Sequence, residues 1–532
     1  GTVFDINPSA VRAFAREGIA AQHLQLGWTA QWDHISGRER DIDILFLGSI
    51  SERRERALGS YARTMSRYRV ELVLSDNSRP NWGQSGSFRS DEDKWDLLTR
   101  AKILLNIHQG EEPYFEWLRV AQAISSGAVV VSEHSIDFAP LVPGEDLLLG
   151  DITSLDLLAE MLLEDGDHRW RMQTAAYHKL RNQLTMAPAV RKLAATAAEL
   201  AQRELVPDGE HRFFTQPQPD PARLPIVSAP IQPPSQSNGD PNSAWMRRAL
   251  KDLRLELLGL RRDMRRIELE AARTTPLPQL EIVAQTDAFA AAAPRVSVLT
   301  ALYNHAALVR TALSSAARVH DCVHELIVVD DGSSDGSCAA VTEWMRHHQD
   351  TPGILLRHQW NRGLAATRND ALNLARGEYS LALDADNELY PHSLSRLTDT
   401  LDGNPDAAFA YGTLEKFRGD ECLGLMNTLS WEPWRLRGGN YIDAMAMMRN
   451  SIIRDELGGY PSDPRLHGWE DYALWCAAAS AGHRGIRVAE IVARYRVARH
   501  SMLSLTNISV TDVFSVIIEA NPTLMAGVEA PD

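Results

Sequence analysis

The chain has 532 residues, 44% hydrophobic and 23% charged, a composition expected of a globular protein with two or more domains. A net charge of −15 lacks the basic footprint of a general nucleic-acid binder, and the four cysteines (Cys322, Cys338, Cys422, Cys476) form no CxxC pair. They suit a reducing compartment and offer neither a zinc site nor a disulfide framework. No apolar stretch approaches the ~18–20 residues that span a bilayer. The opening "GTVFDINPS" has no Met and no signal-like segment, so it reads as the start of a fragment or a processed chain.

Residues 1–204 alternate short apolar runs ("DIDILFLGS", "RVELVLSD", "AKILLNIH", "GAVVVSE") with amphipathic stretches, the βαβ pattern of an open parallel sheet. Residues 205–241 hold nine of the chain's 26 prolines and read as an extended linker. In 242–273, Met246, Leu250, Leu253, Leu257, Leu260, Met264, Ile267 and Ala271 repeat at alternating spacings of 4 and 3, a coiled-coil seam. Three readings of it stay open: self-association of the chain through 246–271, packing on its own chain, and a basic helix lying on a membrane surface. A second linker is expected over 274–293, a further α/β domain over 294–505, and a short helix with a loose tail over 506–532.

In 294–505, ligand-type residues recur where strands end, the place where open α/β sheets bind ligands. "RVSVLTALYN" delivers Tyr303 and Asn304, and "HELIVVDDGSSDGS" delivers Asp330 and Asp331. Those carboxylates can accept from a base or a ribose, or merely cap a turn. "YSLALDADN" sets Asp384 and Asp386 two positions apart; a divalent cation, Mn²⁺ or Mg²⁺, explains why like charges tolerate one another there. "NRGLAATRNDALNLARGEY" predicts a helix stopped by Gly377, with Asn361 and Arg368 as donor contacts and Arg368 reaching a diphosphate. "LHGWEDYALWCAAASAGH" predicts an amphipathic helix opened by Glu470 and Asp471; the pair serves either the helix dipole or acid–base chemistry, and Trp469 offers a platform for a sugar face. "ARYRVARHSMLS" adds Arg496 for phosphate and His500 as a third metal ligand.

The order "YN", "VVDDGSSDGS", "NRGLAATRNDAL", "DADN", "GWEDYALW", "YRVARHS" resembles family 2 glycosyltransferases of the GT-A fold over about 210 residues. The resemblance implies sugar transfer from a nucleotide-sugar to a hydroxyl with inversion. Asp331 would bind the base, Asp386 the metal and ribose side, and Asp471 would deprotonate the acceptor. Ala301-Leu302 replaces the family's Pro-Thr, and Asn387 stands at the fourth acidic position. The segment 103–150 resembles the C-terminal, donor-binding half of GT-B glycosyltransferases, with Gln122 where that family carries Glu. Glu116, Arg119, Gly48 and Arg53 remain as contacts there, unless this half is structural, positions an acceptor, or has been cut from its mate.

The expected whole is thus a GT-B-like Rossmann half, a linker with a heptad helix, and a GT-A domain. It would act on a glycan or lipid-linked glycan acceptor in surface polysaccharide synthesis, in the cytoplasm or at the inner face of a membrane. Two rivals are a non-catalytic glycan-binding scaffold and a sugar nucleotidyltransferase. The second wants a basic Gly-rich loop after the first strand, which "TALYNHAALVR" lacks.

Overall fold

The computed structural model describes residues 3–35, 37–76, 91–202, 280–498 and 510–530, with Leu260, Met264 and Ile267. The Pro-rich stretch, most of the heptad helix and His500 lie outside the described residues. The three described heptad positions are helical and about 60% exposed (62%, 62% and 63%). The chain forms two compact units, one carried by residues 1–216 and the other by most of 217–532. Among the described residues no helix is long and apolar enough to cross a membrane.

The first unit opens with a parallel pair, β1 (Val3–Asp5) and β2 (Ala21–His23), joined through the helix Pro8–Arg16. Asn7 starts that helix because its side chain accepts from Ser9 N–H, and Pro8 fits the first turn. Five parallel strands follow: β3 (Ile42–Ser49), β4 (Val70–Ser75), β5 (Ala101–Asn106), β6 (Val129–Glu133) and β7 (Leu148–Gly150). Their order is β4-β3-β5-β6-β7. Helices cover the sheet, so β6 is buried along its whole length and reads in sequence as a continuous apolar run.

The second unit holds β8 (Glu281–Gln285), β9 (Val296–Leu302), β10 (His324–Asp330), β11 (Gly353–Arg357), β12 (Tyr379–Ala382), β13 (Glu388–Leu389), β14 (Ala407–Arg418), β15 (Glu421–Met426), β16 (Ala446–Arg449) and β17 (Arg484–Arg496). Along the sheet the order runs β13-β17-β14-β16-β12-β9-β10-β11-β8. β12, β9, β10 and β11 are mutually parallel, whereas β16 and β8 pair antiparallel at either side. The order reverses at β9, which has β10 on one side and β12 on the other, so this is the switch point where a ligand crevice belongs.

Three expectations change here. Residues 281–291 are not linker, because β8 adds itself to the free edge of β11 and the helix Asp287–Ala291 follows it. Gly377 does not stop the preceding helix, which ends at Leu374; a Cβ at Gly377 would lie 2.8 Å from Arg295 O and 2.9 Å from Ser297 N, so its lack of a side chain lets β12 approach β9. The helix Glu470–Ser480 is not amphipathic: Tyr472, Ala473, Leu474, Trp475, Cys476 and Ala478 are all buried. It is enclosed because the helix Val510–Ala520 packs into the same core, with Phe514 6.0 Å from the Tyr472 ring. Burying such apolar side chains contributes roughly 1.5–3 kcal/mol each.

Candidate functional site

β9, β10 and β12 run in register, Val296 beside both His324 and Tyr379, so their carboxyl ends deliver Tyr303, Asp330 and Asp384 to the same edge of the sheet. Four carboxylates gather there. Asp384 and Asp386 follow β12, Asp443 precedes β16, and Asp471 lies in the first turn of the helix Glu470–Ser480. Each acts on its neighbours. Burial and then Asp384 push the Asp386 carboxyl up, and His305 and Arg496 oppose them. Burial pushes Asp443 up to about 8, with Asp384 and Asp471 adding to it. Asp471 is raised too, by burial first, although Arg368 pulls it down. The Tyr495 hydroxyl is held far above its ordinary range, by burial and then by this set of charges.

Asp471 is fixed at both oxygens: Oδ1 accepts from Tyr472 N–H at 2.8 Å and Oδ2 from the Asn440 side chain at 2.9 Å. Gly468, at φ +80°, turns the chain into this helix. Glu470 is 2% exposed, and its nearest charge is Arg368, 3.7 Å away. Burial lifts its carboxyl to about 7, Arg368 opposing and Asp471 adding. Arg368 is itself buried, donates to Asp384 Oδ1 at 2.7 Å and lies over the Tyr460 ring. It therefore joins the acidic end of β12 to the helix that carries Asp471. A diphosphate would meet a guanidinium already shared by two carboxylates, which the sequence expectation did not include.

Asn387 is buried and serves the loop: its Oδ1 accepts Arg496 N–H at 2.8 Å. Arg496 in turn donates to the Asp386 carbonyl at 3.0 Å and stands 3.4 Å from Glu388. Arg496 thus lies beside the aspartate pair, bonded to its backbone.

The strand-end residues on the other side are engaged inside the protein. Asp331 accepts from Arg362 N–H at 2.6 Å, from Gly363 N–H at 2.9 Å, and pairs with His358. From another strand it holds the turn that leads into the helix Leu364–Leu374, through two N–H groups that lie just before the helix begins. Asp330 is fully buried, accepts from Ser333 N–H at 3.1 Å and lies 3.4 Å from Arg357. Asn304, at φ +55°, accepts from Ser334 N–H at 2.9 Å and ties the two loops together. Asn361 accepts from Gly363 N–H. Tyr303, at 45%, stands exposed, as does Asn304 beside it. Trp469 is half-buried against the core, its indole N–H without a partner, and is less open than a sugar platform would need.

Sequence reasoning missed Asp443, His358 and Tyr495. The signal for Asp443 was a lone carboxylate inside the apolar run "YIDAMAMM"; for His358 it was a histidine just past a strand. Among the described residues no three His, Cys, Asp or Glu side chains form a metal cage by themselves. Asp384 and Asp386 nevertheless fit a hard divalent cation: the Asp384–Asp386 repulsion is what such a charge relieves, and phosphate oxygens commonly complete the shell.

At the corresponding end of the first unit, the cations are committed. Arg53 pairs with Glu133 through both guanidinium nitrogens. Arg54 is buried, donates twice to Ile107 O and holds Glu116, which also meets Arg119. Gln122 is buried, and a Cβ at Gly48 would come within 2.9 Å of Phe46.

Comparison with known proteins bears on the second unit. The sequence model for "Glycosyl transferase family 2" matches residues 297–455. EpsE of Bacillus subtilis (strain 168) is 27% identical over 219 residues, 38% of this chain and 73% of EpsE. EpsH of the same organism is 34% identical over 113 residues, and the chain spans 32% of its length. The Escherichia coli protein named UDP-Glc:alpha-D-GlcNAc-diphosphoundecaprenol beta-1,3-glucosyltransferase WfgD is 26% identical over 211 residues, 39% of this chain and 79% of WfgD. Among solved structures, S. aureus TarS 1–349 with UDP-GlcNAc aligns over 42% of this chain and 66% of its own, at TM-score 0.35 and 17% identity. The chain therefore carries a glycosyl transferase family 2 domain, matched over residues 297–455.

Proposed function

We propose that the second unit transfers a sugar from a nucleotide-sugar to a hydroxyl acceptor with inversion, in the building of a surface polysaccharide. The observation that carries this is the acidic set at the sheet's carboxyl edge, in which Asp384 acts on Asp386 in its own loop and on Asp443 and Asp471 from two other segments. Asp471 is the general base. Its two hydrogen bonds aim it, and its raised pKa makes it a better proton acceptor from a hydroxyl than an exposed carboxylate. As the acceptor oxygen bonds to the anomeric carbon, the bond to the diphosphate breaks and the proton passes to Asp471.

Asp384 and Asp386 would hold Mn²⁺ or Mg²⁺, whose chemistry is to stabilise charge on the departing diphosphate. Arg496, and His500 beyond the described residues, add positive charge at that end, and Arg368 keeps Asp384 in place. Tyr303 is open to stack on a base. Asp331 serves the base side through the turn it holds.

WfgD is named for a lipid diphosphate acceptor, which supports a lipid-linked glycan as acceptor here. The heptad helix 246–271 is proposed to pair with a second copy. For the first unit, the fully paired Arg53, Arg54 and Arg119 favour acceptor positioning over a second donor site.

The test uses the full chain with a panel of nucleotide-sugars, Mn²⁺ or Mg²⁺, and lipid-linked or free glycan acceptors. Donor turnover is expected with one of them, and it disappears in Asp386→Ala. Turnover that survives this change overturns the role given to Asp386, and no turnover with any donor leaves the scaffold reading.

A further inference from the structure

β11 ends at Arg357, and the ring of the next residue, His358, lies between two carboxylates. Its Nδ1 is 2.9 Å from Asp331 Oδ1 and its Nε2 is 2.8 Å from Asp370 Oδ2. The side chain is 1% exposed, so no water competes for either nitrogen. A neutral imidazole has one N–H and one lone pair, and would satisfy one carboxylate while facing the other with a lone pair. Only the protonated ring donates to both.

The groups around it form one closed set. Arg362 donates to Asp370 Oδ2 at 2.6 Å and its guanidinium lies 3.5 Å from the ring. The backbone N–H groups of Arg362 and Gly363 hold Asp331 from the other side. Arg357 faces away, toward Asp330 and Ser333 O. Asp331 comes from the end of β10, Asp370 from the helix Leu364–Leu374, and Arg362 from the turn before that helix. The helix also carries Arg368, two residues from Asp370, to Asp384.

We infer that His358 is a positioning residue of the donor site: its protonated ring clamps β10, the turn 361–363 and the helix Leu364–Leu374 into one register, and so sets where Arg368 meets Asp384. The inference rests on the transferase reading for its consequence in catalysis, and on geometry alone for the clamp. Burial works against the ring's charge, but the hydrogen bonds it donates to Asp331 and Asp370 outweigh it and hold the pKa above the ordinary 6.5. The charge is therefore lost on the alkaline side. Stability from the clamp is fully present below pH 6.5 and disappears as pH rises through the ring's folded-state value.

The experiment compares the full chain with His358→Phe and His358→Gln between pH 6 and 9. The wild-type donor KM should climb with pH along a single ionisation. In His358→Phe it should start about tenfold higher and stay flat, with kcat little changed, and His358→Gln should recover part of the loss. A Phe variant with the wild-type KM and the same alkaline limb overturns the inference. A second readout needs no turnover: the stability gap between wild type and His358→Phe should shrink as pH rises through that ionisation. A gap independent of pH also overturns it, whereas a shrinking gap in a protein that turns over no donor leaves the clamp and removes the transferase reading.

Discussion

Asp471 and Glu470 are adjacent in sequence but occupy different surroundings, and that difference divides their roles. Asp471 has two fixed hydrogen bonds and lies among the other site carboxylates, whereas Glu470 is buried between the opposing charges of Arg368 and Asp471. Asp471→Asn should lower kcat roughly 10²–10⁴-fold while leaving donor KM near the wild-type value, measured by steady-state transfer. Glu470 has its folded-state pKa raised from 4.5 to about 7, so folding favours its protonated form. The stability it contributes is whole below pH 4.5 and is lost as pH climbs through about 7. Denaturant midpoints across that window should fall less steeply in Glu470→Gln.

At the level of elements, the turns that deliver the site depend on backbone that only glycine adopts cheaply. Gly332, just after Asp331, has φ +69°, and a Cβ there would lie 2.8 Å from the carbonyl carbon of Trp360. Gly332→Ala should cost at least about 1–2 kcal/mol from the left-handed backbone alone, read from the denaturant midpoint, with the crowding against Trp360 adding to it. The helix Leu364–Leu374 shows a different dependence: the turn that leads into it is held by Asp331, at the end of β10, rather than by a neighbour in sequence. Asp331→Asn should therefore weaken stability as well as donor binding, by about 1.5–3 kcal/mol as for hydrogen bonds to a charged group.

For the molecule as a whole, the two units handle their charges differently. In the first, the buried Arg54 satisfies Ile107, Ser49 and Glu116 together, so it ties β3, β5 and the helix Trp117–Ser125 into one body. Arg54→Ala should destabilise that unit by about 3–5 kcal/mol, because the Ile107 and Ser49 carbonyls lose their buried donor and Glu116 is left to Arg119 alone. Faster amide exchange in β3 and β5 would report it. In the second unit the carboxylates outnumber the cations that reach them, and this surplus marks the edge where a cation and a diphosphate would be received.

Much of this was legible in the residues, and unevenly so. "ELIVVDD" and "SLALDAD" declare buried parallel strands ending in acid, because a strand covered on both faces must be apolar until it reaches the edge. The helix at 470–480 was placed correctly but read as amphipathic, since sequence spacing cannot show that the helix Val510–Ala520 returns to cover its outer face. Asp443 and His358 were passed over for a related reason. A lone carboxylate or histidine carries no pattern, and its meaning comes from partners dozens of residues away.

By itself the sequence determined the α/β order of elements, the acidic strand ends and the family to which residues 297–455 belong, because apolar period and motif spacing are local properties of the chain. The tertiary structure alone decided which acids face one another, that Arg368 is shared between Asp384 and Glu470, and that Asp331 holds the turn before a helix. Those outcomes depend on burial and on distances between segments far apart in the chain, which no local pattern encodes.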